Sequence, residues 1–292
     1  MKMKIYLIPV LLLIFSTVSS GQDLMDMLGD DEANTTDYTY ATFKATRIIN
    51  GQSIELPPKG ALNFVISHHF GRINQGAYEF FGLDQANIRF GFEYGFTDWL
   101  SAGIGRTSVN KTYDGSLKAK ILRQSSGKRS MPITLTWFSN ATISSLKWQE
   151  PDRKNYFTSR MEFAHQLLIA RKFGSRVSLQ LMPTYVHRNL VETIEDENDV
   201  FAVGAGGRIK ITNRMAVTGE YYYVLPGKTA DDFHNSFSIG LDLETGGHVF
   251  QVYLTNSQGL IEEQFIPRTS GNWGDGDIHI GFNINRTFQI VK

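Results

Sequence analysis

The 292-residue chain contains no cysteine. That excludes disulfides, thiolate metal sites and anchoring through a lipidated cysteine. It carries no net charge, 29 basic residues balancing 29 acidic ones. Without a basic excess there is no electrostatic case for nucleic acid as a partner. Beyond residues 1–21 it lacks any apolar run long enough to cross a bilayer as a helix, which takes about 20 residues. Proline is scarce, and the pair Pro57–Pro58 marks a place where no central strand can run.

The N-terminus has its own signature. Lys2 and Lys4 precede the apolar run Ile5–Phe15, and the small residues Ser16, Thr17, Ser19, Ser20 and Gly21 follow. This is the layout of a secretory signal peptide, residues 1–21, cleaved before Gln22. Its removal takes two lysines, leaving 27 basic and 29 acidic residues. Residues 22–59 read as an acidic leader and a partly ordered N-terminal segment, with a helical turn expected at Leu24–Leu28. Residues 60–292 form the main domain.

From Gly60 onward apolar and polar residues alternate with a period of two. In "RFGFEYGFTDWLSAGIGR" Phe90, Phe92 and Tyr94 oppose Arg89, Gly91 and Glu93; after the turn, Leu100, Ala102 and Ile104 oppose Ser101, Gly103 and Gly105. The pattern repeats to "DIHIGFNINRTF", giving about 12 strands (roughly 10–14), most long enough for the 9–11 residues of a tilted membrane-crossing strand. Connections alternate too. "FTDW", "FGS", "TNR" and "TGG" are short, whereas residues 71–84, 140–158, 192–199, 226–235 and 257–276 are long. The short link near Val109 and the longer "SSGKRS" depart from this rhythm.

Three architectures alternate in this way: a transmembrane barrel, a β-sandwich and a soluble lipocalin-type barrel. The face opposite the apolar set decides. It mixes glycines (Gly91, Gly103, Gly105, Gly204, Gly206, Gly240) with Arg89, Glu93, Lys118, Lys120, Glu162, Gln166, Arg208, Lys210 and Glu220. Those nine polar residues are the candidates for lining a lumen. Tyr94, Phe96, Trp99, Trp137, Tyr185 and Tyr223, at strand ends, are candidates for an aromatic girdle, and Phe138 lies near them in sequence. The expected fold is all-β: an antiparallel transmembrane β-barrel with short periplasmic turns and longer outer loops. Closure also removes the unpaired edges that so many long strands would otherwise expose.

"ISHHFG" (Ile66–Gly71), "FGFEYGFTDWLSAGIGR" (Phe90–Arg106), "KTYDGSLKAKILRQ" (Lys111–Gln124), "GAGGRIKIT" (from Gly204) and "GDIHIGFNINRTF" (from Gly276) carry a family resemblance. In combination they resemble the DUF5777 β-barrel family of Bacteroidota over nearly all of the chain after Ala41. The resemblance implies an outer-membrane barrel and brings no activity with it.

Catalytic and metal signals are sparse. His68 and His69, adjacent on a strand, point to opposite faces, so a strand-end or loop role is expected. The other histidines show no ligand spacing. "GAGGR" lies inside a strand with no helix after it, unlike a phosphate cradle. "DGD" at Asp275–Asp277 reads as a turn. His165 is in phase with the outward set, with Ser139 a candidate neighbour, but a hydrolase also needs an orienting group. The expectation is a non-enzymatic outer-membrane barrel of a Gram-negative cell, without cofactor or metal. Its partners are outer-membrane lipid, the barrel-assembly machinery and a small solute. A narrow channel or solute-binding lumen is the first reading; a structural or interaction barrel working through its outer loops is the alternative, and a phospholipase-like hydrolase the third.

Overall fold

The computed structural model describes residues 35–148 and 150–291. The signal segment and the turn expected at Leu24–Leu28 lie outside the described residues. Alternation produces the expected strands. They are β2 (Ala61–Arg72), β3 (Ala86–Thr97), β4 (Leu100–Thr107), β5 (Thr112–Leu122), β7 (Thr134–Ser144), β8 (Met161–Phe173), β9 (Val177–Arg188), β10 (Asp199–Lys210), β11 (Met215–Val224), β12 (Phe237–Thr245), β13 (His248–Thr255) and β14 (His279–Gln289). These twelve close into one antiparallel barrel, each paired with its sequence neighbours. The ring is sealed by β14 against β2, Gln289 opposite Ala61 and Ile284 opposite Ile66. No barrel strand is left with a free edge.

The pairing of first and last strands puts the start of β2 and the end of β14 at one rim, the turn end. The links 98–99, 174–176, 211–214 and 246–247 lie there. The opposite, loop end carries the long connections 73–85, 145–160, 189–198, 225–236 and 256–278. Both departures from the rhythm have structural counterparts. Residues 108–111 make a compact 3-10 turn at the loop end. At the turn end, residues 123–133 contain β6 (Ser125–Gly127), which pairs with β1 (Thr36–Tyr38) in a separate two-stranded sheet.

The outward face is the apolar one. Phe90, Phe92, Ile104, Leu117, Leu179, Phe201, Ile239 and Val252 are exposed, while their strand neighbours are largely covered. Such a band suits lipid. No helix among the described residues is long and apolar enough to span a membrane. Tyr94, Phe96, Trp99 and Trp137 lie toward the turn end, Tyr185 and Tyr223 toward the loop end. Tyr94 meets Phe96 edge-on at 5.1 Å, and Tyr185 stacks on Phe201 at 5.1 Å. Phe138 is not a boundary ring. It is 2% exposed and opposes Lys118 and Gln166 on the inner face.

Candidate functional site: a lumen closed from both ends

Residues 42–54 do not simply lead into the barrel: they enter it. Arg47 bridges to Gln52, Ile48 N–H donates to the Gly51 carbonyl at 2.8 Å, and Ser53 N–H to Thr46 at 3.0 Å. The result is a tight hairpin with Ile49–Asn50 at its tip. Every residue from Thr42 to Ile54 except Lys44 is buried.

The barrel wall holds this hairpin mainly through its backbone. Glu220 on β11, 2% exposed, accepts N–H groups from three consecutive residues: Asn50 at 2.8 Å, Gly51 at 3.1 Å and Ile49 at 3.3 Å. Successive N–H groups of this kind form a concavity for an anion, here a fixed carboxylate. The outward-directed carbonyls are met by amides. Gln251 donates to Ile48 at 2.7 Å, Asn283 to Ile49 at 2.8 Å and Gln180 to Gln52 at 2.7 Å. Lys118 donates to three carbonyls, those of Thr46, Ser53 and Glu55, at 3.1–3.2 Å. These contacts satisfy backbone groups that would otherwise be costly to bury.

The Asn50 side chain ties the tip to three wall residues and, through His69, to a fourth. Its amide donates to Ser238 at 3.1 Å and Thr255 at 3.3 Å; its oxygen lies 3.1 Å from His69 Nε2, which is also 3.1 Å from the Tyr253 hydroxyl. His69 is therefore an interior residue within β2, fully buried, and not the strand-end or loop residue expected from sequence. His68 faces outward and stacks on Phe282 at 4.9 Å.

From the loop end, the β13–β14 connection descends into the same space. Its helical turn, α1 (Glu262–Phe265), is wholly buried. Gln52 of the hairpin donates to Glu262 at 3.0 Å, and Arg47 approaches the same carboxylate at 3.7 Å. Asn140 donates to Glu263 at 3.0 Å. Burial, with the Glu262 charge beside it, raises the Glu263 carboxyl well above the ordinary carboxylate range. Arg268 grips Glu162 on β8 through two bonds of 2.9 and 2.6 Å. An apolar cluster fills the remaining centre: Phe43, Ile48, Ile49 and Ile54 of the hairpin, Phe138, Leu168, Met182 and Tyr222 of the wall, Phe265 of the loop.

The nine polar lining candidates thus divide by partner. Glu220 and Lys118 hold the hairpin, and Glu162 holds the loop. Arg89 pairs with Asp114 at 2.9 Å, and Arg208 with Glu244 at 2.6 Å, within the wall. Glu93 accepts from Asn63 at 3.3 Å, and Gln166 donates to Thr184 at 2.9 Å. Lys120 and Lys210, near the turn end, are half-buried and join none of these interior networks. Sequence reasoning missed Asn50, Gln52, Arg47 and Glu262. The Asn50–Gly51 dipeptide, a strong short-range hairpin signal beside Ile48 and Ile49, could have found the first. The apolar "LIEEQFI" at Leu260–Ile266, out of place in an exposed loop, could have found the last.

On the outer face, Ser139 Oγ lies 2.9 Å from His165 Nδ1, across the β7–β8 pair. The ring of His165 stacks near Tyr185 at 6.1 Å, and its Nε2 has no hydrogen-bond partner among the described residues. The "DGD" turn is tied to the β2–β3 loop: Asp277 pairs with Arg72 at 3.1 Å and accepts from Asn74 at 2.8 Å. Among the described residues no cluster of three or more histidine or acidic side chains is placed to hold a metal ion.

A closed antiparallel barrel with an apolar outer band and an internally occupied lumen is a membrane β-barrel, in contact with lipid around its circumference. The chain belongs to the family of membrane bound beta barrel domains designated DUF5777, whose model matches residues 43–288, the inserted hairpin included. No curated protein matches the sequence. Among solved structures, the chain is similar to the NanC porin (TM-score 0.47, 8% identity, 78% of this chain and 98% of the porin). It is similar also to the KdgM porin (0.45, 8%, 78% and 98%) and to outer membrane phospholipase A from Escherichia coli carrying an active-site substitution (0.44, 12%, 80% and 91%).

Proposed function

We propose that this protein is an outer-membrane barrel, exported through its N-terminal signal segment and inserted by the barrel-assembly machinery, whose own hairpin keeps a narrow solute pathway shut. The observation that carries this reading is the contact of Gln52 with Glu262, where a segment from the turn end meets a segment from the loop end inside the wall. The hairpin's bonds to the wall are largely polar, through Glu220, Lys118, Gln180 and Gln251, and water can replace such bonds on withdrawal. Planar-bilayer recording tests it. The intact chain is expected to be silent, and a chain lacking residues 41–56 to insert and conduct. Steady current from the intact chain would overturn the closed state.

The apolar cluster of Phe43, Ile48, Ile54, Tyr222 and Phe265 favours a second reading, a permanently filled structural barrel acting through its outer loops. Silence from a correctly inserted, hairpin-deleted chain would select it. The Ser139–His165 pair is read as two polar side chains satisfying each other against lipid, with no orienting group hydrogen-bonded to the imidazole among the described residues. Hydrolysis of phospholipid by the purified protein, lost on Ser139→Ala, would reverse that reading.

A further inference from the structure

The longer connection at the turn end, residues 123–133, builds a feature that neither closure nor the hairpin requires. Lys120 of β5 and Arg123 and Arg129 of this connection line a cavity of about 270 Å³ with Trp99 and Asp98. Asp98 is the single acidic residue in that lining. None of the three cations has a carboxylate within ion-pair distance among the described residues, whereas Arg89, Arg188, Arg208 and Arg268 elsewhere all do.

Arg123 is nevertheless held in place. Its guanidinium lies over the rings of Tyr38 and Tyr40, 4.5 and 4.6 Å from their centroids. The cation is held against the ring faces and its N–H donors make no hydrogen bond among the described residues, which leaves them for the paired bonds by which arginine takes an oxyanion. The rings are positioned by the β1–β6 sheet and by Thr39 N–H donating to Gln124 at 2.8 Å. The site also opens onto lipid. Trp99 and Ile121 are each 57% exposed, and Trp99 sits beside Phe96 where β3 turns into β4. An indole at a membrane boundary marks the depth of lipid headgroups.

We propose that this cavity binds the phosphate of an anionic phospholipid in the leaflet at the turn end, with Arg123 and its neighbouring cations on the phosphate oxygens and an acyl chain running along Ile121 and Trp99. Charge complementarity and continuity with the apolar band select a lipid over a free ion. A free phosphate would use the same cations and nothing of the apolar rim.

The full chain in detergent, titrated with phosphatidylglycerol and read by native mass spectrometry, tests this. Binding is expected at one saturable site, at least tenfold tighter than phosphatidylcholine. It is expected to weaken at least tenfold in the triple variant K120Q/R123Q/R129Q and to survive in K120R/R129K, which keeps the stacked Arg123 and all three charges. Heat-modifiable gel mobility confirms that each variant is folded. Two results would overturn the proposal: equal affinity of wild type and triple variant, or displacement of the lipid by equimolar inorganic phosphate. A third would be an intact chain that binds no lipid until Asp30, Asp31 and Glu32 are neutralised, which would assign the cavity to the chain's own acidic leader.

Discussion

The Glu220 carboxylate accepts the backbone N–H of Asn50 at 2.8 Å, joining residues 170 positions apart in sequence. The same side chain also takes the N–H groups of Ile49 and Gly51, so the seating of the hairpin tip rests on it. Each buried N–H left without an acceptor costs about 1–3 kcal/mol, and three are stranded when the side chain is truncated. Glu220→Ala is therefore expected to weaken hairpin seating by at least about 3 kcal/mol. Hydrogen exchange of residues 47–53 should accelerate, and the bilayer recording should show intermittent openings. Glu220→Gln, which keeps one acceptor, should fall between. Unchanged exchange in the alanine variant would remove Glu220 from this role.

Gly51 offers a steric route to the same outcome. A Cβ there would lie 1.9 Å from the Tyr222 hydroxyl and 2.9 Å from the ring carbon bearing it. Gly51→Ala is expected to cost about 1–3 kcal/mol of hairpin seating, the usual range for overpacking a filled interior. Tyr222→Phe removes the nearer clash but leaves the ring, so the double variant should recover part of that loss. Additive effects of the two substitutions in thermal unfolding would show that the residues do not meet.

The wall was legible in sequence and its contents were not, for a physical reason. Outward residues such as Phe90, Phe92 and Ile104 answer to lipid alone, so local alternation reports them directly. What occupies the lumen depends on pairs such as Asn50 with Glu220 and Gln52 with Glu262, separated by 170 and 210 residues, and no local period encodes them. A trace survives where alternation breaks. Trp137–Phe138, Leu167–Leu168–Ile169 and Tyr221–Tyr222–Tyr223 are apolar or aromatic on both faces. Their inner members, Phe138, Leu168 and Tyr222, are wall residues of the cluster that receives the hairpin.

Ile104 tests the outer face. It is 67% exposed within β4, opposite Phe92. An arginine placed in lipid at mid-depth costs about 2–4 kcal/mol, and much less near either interface. Ile104→Arg is expected to lower unfolding stability in vesicles by that amount. Asp152→Arg, in the exposed β7–β8 loop, should stay within about 0.5 kcal/mol of wild type. Equal stability of both variants would place the apolar band outside lipid.

Acidification should loosen the loop end. The Asp277 carboxyl is held below the ordinary carboxylate range by the hydrogen bond from Asn74, with Arg72 adding its charge. A carboxylate lowered in the folded state adds stability that is present above its unfolded pKa and lost as pH falls through its folded value. The tie between the β13–β14 and β2–β3 loops is therefore intact at pH 7 and released below about pH 4. Limited proteolysis within residues 270–278 should rise between pH 5 and pH 3, using an acid-stable protease. Asp277→Asn removes the titrating group, so its cleavage should be elevated at pH 7 and rise far less on acidification.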